Sequence, residues 1–94
     1  VHLLYVDVPV LSGFAVICSH RYGVPANYTW TRENELPLPK GSELVDYNRR
    51  LIIHDIQPED EGEYTCTVSA NTNGADNSKS ITLSVFGTCS FQFA

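Results

Sequence analysis

Hydrophobic and polar positions alternate in short runs along the chain, and Gly, Pro, Asn and Asp interrupt the alternation about every 8 to 12 residues. A period of two sends successive side chains to opposite faces of an extended strand. The pattern predicts strands at residues 3–8 (LLYVDV), 13–19 (GFAVICS), 27–33 (NYTWTRE), 43–46 (ELVD), 49–54 (RRLIIH), 62–70 (GEYTCTVSA) and 78–86 (SKSITLSVF). Between them, HRYGVPA reads as a loop and ANTNGADN as a turn-rich hairpin connection. NELPLPKG carries two prolines that a central strand would not accept, so it is a connection or an edge. No segment shows the stripe of a helix. About seven short strands in a chain of this length predict an all-β fold, a sandwich of two antiparallel sheets.

Parity then assigns faces. If Cys18 points inward, so do Phe14 and Val16; if Cys66 does, so do Tyr64, Val68 and Ala70. Trp30 shares its side of a strand with Tyr28, while Leu51, Ile53, Ile56, Ile81, Leu83 and Val85 complete one predicted core.

Composition narrows the setting. At 94 residues this is one small domain, able to bury about 60 to 65% of the surface its unfolded chain exposes. A core that thin gains from a covalent staple. Cys18, Cys66 and Cys89 lack the CxxC spacing of zinc sites or redox dithiols. They read as one disulfide and one cysteine left over. Were Cys18 and Cys66 to pair, closing that loop would stabilise the fold by about 4 kcal/mol in the chain-entropy model, and the compartment would be oxidising. A net charge of −5 with six basic residues argues against nucleic acid as a partner. No apolar run approaches the roughly 20 residues that cross a bilayer, so the domain itself is not expected to insert into a membrane. The chain is expected to be a module of a larger protein, folded over residues 1–87, with 88–94 (TCSFQFA) a tail or the start of a next module.

Cys18, Trp30 twelve positions later, and LIIHDI followed by DEGEYTC together resemble the immunoglobulin superfamily over roughly residues 3 to 86. The short connection from Trp30 to Leu51 leaves little room for additional strands, which makes the resemblance closest to the intermediate, or I-set, class. Contactins, Down syndrome cell adhesion molecules and growth-factor receptor ectodomains carry similar modules. The resemblance implies a sandwich with strands A′, B, E and D in one sheet and C, F and G in the other, a Cys18–Cys66 bridge, and Trp30 against it. It also implies that Tyr64 forms a tyrosine corner, its hydroxyl bonded to backbone a few residues upstream. Gly62 falls where that corner is tightest. Asp60 is expected to accept from turn amides or to face Arg49 or Arg50.

Other chemistries fit less well. Asp55, Glu59, Asp60, Glu61 and Glu63 lack the spaced ligands of a calcium loop, so no metal site is expected. GxSxG, HExxH and glycine-rich phosphate motifs do not occur. The chain is expected to bind rather than to catalyse, without a cofactor.

Asn27-Tyr28-Thr29 is the one N-x-T sequon, with Asn27 expected on the outer face at the start of its strand. The outer face of the C, F and G sheet reads as rich in hydroxyls: Thr29, Thr31, Thr65, Thr67, Ser69, Ser80, Thr82 and Ser84, with Glu33 among them. On the other sheet Ile17 and Ile52 are expected to point outward beside Arg50, a small apolar centre for a protein partner unless strand A′ or a neighbouring module covers it. Two functions follow: an extracellular recognition module of a cell-surface adhesion protein or receptor, binding another protein or itself, or a spacer in an array of modules.

Overall fold

The computed structural model describes residues 3–18, 26–70 and 76–87. Among them lie the strands β1 (Leu3–Pro9), β2 (Phe14–Ile17), β3 (Ala26–Arg32), β4 (Ser42–Val45), β5 (Arg50–Ile53), β6 (Gly62–Ala70) and β7 (Asp76–Phe86), with short 3₁₀ turns at Glu33–Glu35 and Pro58–Asp60. Two sheets form, one in the order β1-β7-β6-β3 and the other in the order β2-β5-β4. β3 connects to β4 with no strand between them, as the proline-containing stretch requires. The loops at HRYGVPA and ANTNGADN fall largely outside the described residues, as do Cys89 and the tail.

The facing sides of the sheets supply the core. Trp30, Leu51, Ile53, Ile56, Tyr64, Val68, Ile81, Leu83 and Val8 are buried, and Phe14, Val16, Tyr28 and Val85 pack against them. Cys18 and Cys66 are bonded across the sandwich, with Cα atoms 6.3 Å apart. Trp30 stands directly opposite Cys66 in the β3–β6 register. Its indole N–H donates to Asn48 O at 3.0 Å, so the one polar atom of the ring is satisfied.

The first strand departs from the expectation. The family resemblance places it in the sheet of B, E and D, but β1 runs parallel to β7, from Leu3 opposite Ser80 to Pro9 opposite Phe86. The longer neighbour explains this. β7 offers seven consecutive pairs to β1, whereas β2 is four residues long. The register also sets Val6 beside Leu83 and Val8 beside Val85, extending the inward apolar row of β7 by one strand. Pro9, with no N–H to give, closes the ladder. The chain then changes sheets: Val10 N–H donates to Phe86 O at 2.9 Å and Leu11 N–H to Ile56 O at 2.7 Å. Leu11 takes a left-handed φ of 69° at that crossing.

Candidate functional site

The segment DEGEYTC builds a corner between β5 and β6. Tyr64 is fully buried, and its hydroxyl donates to Asp60 O at 2.5 Å. Asp60 is buried as well, and its carboxylate accepts from Gln57 N–H at 2.9 Å, the turn-amide arrangement. Arg49 lies elsewhere, paired with Asp46 at 2.5 Å, and Arg50 faces solvent on β5. The arginine of the corner is Arg32 at the end of β3. Its guanidinium lies 5.0 Å from the centre of the Tyr64 ring and donates to Glu61 O at 2.9 Å. Glu33 accepts from Arg32 at 3.3 Å and from Glu63 N–H at 3.1 Å. Glu33 thus belongs to this corner, because β3 ends one residue before it and the chain turns.

Gly62 has φ +153°, a conformation that side chains rarely adopt, and a Cβ there would also meet the carboxylate of Glu33 and Arg32 Nη2, whose flexible ends would have to move. The backbone conformation is what favours glycine here. Glu61 is used too, accepting from Val85 N–H at 2.8 Å. The carboxylates of Asp60 and Glu61 are therefore tied to backbone amides, and no cluster of three metal-ligating side chains occurs among the described residues.

The two outer faces differ in chemistry. On the four-stranded sheet, the registers align Asn27 with Ser69, Thr29 with Thr67 and Ser78, and Thr31 with Thr65 and Ser80. Thr65 and Ser80 are hydrogen-bonded at 2.9 Å, and Thr67 and Ser78 at 3.2 Å. Asn27, Thr29 and Thr31 are exposed.

On the three-stranded sheet, Ile17 sits opposite Arg50, which sits opposite Val45; one row further, Ala15, Ile52 and Glu43 align. Ile17 and Ile52 are therefore diagonal neighbours, about 7 to 8 Å apart. Ile17 is 45% exposed, Ile52 half-buried, and Ala15 and Arg50 exposed. Glu43 and His54 form an exposed pair at 2.7 Å at the margin. With β1 on the other sheet, no described strand lies over this face.

β2 is also an open edge. Cys18 N–H donates to Arg49 O at 2.7 Å, so by alternation the backbone groups of Ala15 and Ile17 point away from β5. A cavity of about 140 Å³ adjoins it, lined by Val16, Ile17, Trp30, Ile81 and the Cys18–Cys66 bridge.

Tyr47, the most exposed aromatic among the described residues, escaped the sequence reading. Asp46, Tyr47 and Asn48, in the turn from β4 to β5, all have positive φ, of 56°, 57° and 67°. Three left-handed residues without glycine are costly. They are held by the Trp30 bond to Asn48 O and by Arg49 N–H donating to Asp46 O at 3.0 Å. Tyr47 stands 90% exposed at the tip, at the Ile17–Arg50–Val45 end of the sheet. The signal was Asp-Tyr-Asn between two strands, a turn tripeptide.

Residues 8–70 match the family model described as an immunoglobulin domain. The chain is 42% identical over 48 residues to contactin of Drosophila melanogaster, covering 51% of this chain and 3% of that protein. It superimposes on a structure of the N-terminal eight immunoglobulin domains of Down syndrome cell adhesion molecule with a TM-score of 0.71 and 26% identity, over 88% of this chain and 13% of that one. The first immunoglobulin-like domain of human CD48 antigen has the same fold, with a TM-score of 0.73 at 18% identity over 99% of this chain and 92% of that one. The chain thus spans a small fraction of the contactin and cell adhesion molecule that it matches.

Proposed function

The chain belongs to the immunoglobulin domain family, and from that premise we propose that it is an extracellular recognition module of a cell-surface adhesion protein or receptor, binding a protein partner through the outer face of β2, β5 and β4. One observation carries the reading: Ile17 and Ile52 form an uncovered apolar centre beside Arg50. An apolar centre with an arginine and a charged margin has the composition of a protein contact. The exposed ring of Tyr47 at one end of the same sheet adds an aromatic anchor. Similarity to a contactin and to a cell adhesion molecule supports the setting. The module acts by binding and not by catalysis.

The test is the pair Ile17→Asp and Ile52→Asp in the parent ectodomain. With Ile17 45% exposed and Ile52 half-buried, completing their burial contributes roughly 1 kcal/mol each, so the pair is expected to weaken bead aggregation and cell-surface binding by about tenfold. Binding equal to wild type removes this face from the interface and favours the alternative reading, a spacer in an array of modules.

A further inference from the structure

We propose that Asn27 carries an N-linked oligosaccharide, and that this sugar caps the open edge of β3 and the hydroxyl-lined face beside it. Two separate observations converge there. The first is chemical: Asn27-Tyr28-Thr29 is an acceptor sequon, and the fold turns Asn27 and Thr29 to solvent while Tyr28 packs toward the core. Attachment forms a bond from Asn27 Nδ2 to the anomeric carbon of a lipid-linked pyrophosphate oligosaccharide. The carbon–oxygen bond to the pyrophosphate breaks, its electron pair leaves with the lipid pyrophosphate, and Nδ2 gives up one proton. No redox change occurs.

The second observation is architectural. Among the described residues β3 is the terminal strand of its sheet and pairs only with β6, in unbroken register from Ala26 opposite Ala70 to Arg32 opposite Tyr64. Edge strands of this length are ordinarily protected by lysine, proline or a bulge, since their free backbone groups pair with other chains. From 26 to 31 β3 has none of these. Its one charge, Arg32, is turned into the Tyr64 corner. A glycan on Asn27 supplies the missing protection. It stands on the four-stranded sheet and leaves the Ile17–Ile52 face open.

The experiment compares three forms of the domain, all in the Ile17→Asp, Ile52→Asp background so that the other face does not contribute: secreted from eukaryotic cells, secreted with Asn27→Gln, and made in bacteria. The first is expected to lose mass on treatment with an amidase that removes N-linked sugars. Asn27→Gln is expected to abolish that loss. The two sugar-free forms should then self-associate roughly tenfold more strongly in sedimentation equilibrium. Secreted protein with no amidase-sensitive mass overturns the assignment. Equal association of the glycosylated and sugar-free forms overturns the capping role.

Discussion

Tyr64 joins two demands that usually conflict, complete burial of a phenol and satisfaction of its hydroxyl, and the bond to Asp60 O meets both. Tyr64→Phe keeps the ring but strands that carbonyl, so a loss of about 1 to 3 kcal/mol is expected in urea unfolding. The same burial raises the phenol from its ordinary value to about 12, since removal from water disfavours the phenolate; the nearby Arg32 opposes the shift. A folded value above the unfolded one, about 10, means that the neutral phenol favours the fold below pH 10. That contribution is lost as pH rises from about 10 toward 12. Melting temperature should therefore fall across this window in wild type, and less steeply in Tyr64→Phe; parallel curves would refute the assignment. Tyr64, Asp60 and Gly62 were legible because they stand within five positions of one another. Arg32 and Glu33 were not, because their partners Glu61 and Glu63 lie 29 and 30 positions away.

At the level of elements, alternation located the strands and their inward faces but was silent on which edge each strand joins. β1 shows why. Val6 and Val8 face inward whichever sheet receives them, and only the comparison of a seven-pair ladder on β7 with a four-residue β2 decides the matter. The β4–β5 turn was hidden for a related reason, since its left-handed residues depend on a bond from Trp30, 18 positions away. Gly62 tests how rigidly the β3 end and the β6 start are locked. Gly62→Ala is expected to cost more than about 1 kcal/mol in urea unfolding, because its φ disfavours a side chain and its Cβ meets Glu33. Glu33→Ala should also destabilise, by stranding Glu63 N–H. Combined, the two should cost less than their sum, since removing the carboxylate opens the space that the new methyl needs. Strict additivity would show that the clash is not what Gly62 avoids.

For the whole molecule, the question is what holds two small sheets together. The three-stranded sheet meets its partner through few large residues, chiefly Leu51 and Ile53 with Phe14 and Val16 beside them. The Cys18–Cys66 bridge, spanning 48 positions, ties the two layers together at the Trp30 end, while the Tyr64 corner serves the other. A loop of that length corresponds to about 4 kcal/mol of denatured-state entropy, against a total stability of about 5 to 15 kcal/mol for a domain. Burial alone therefore leaves a narrow margin once the bridge is gone. The double variant Cys18→Ala, Cys66→Ala avoids an unpaired thiol and is expected to lose about 2 to 5 kcal/mol. With a domain of this size shifting by about 4 to 8 °C per kcal/mol, its melting midpoint should fall by at least about 8 °C, as read by circular dichroism. A midpoint within a few degrees of wild type would place the cohesion of the sandwich in its apolar core and not in the bridge.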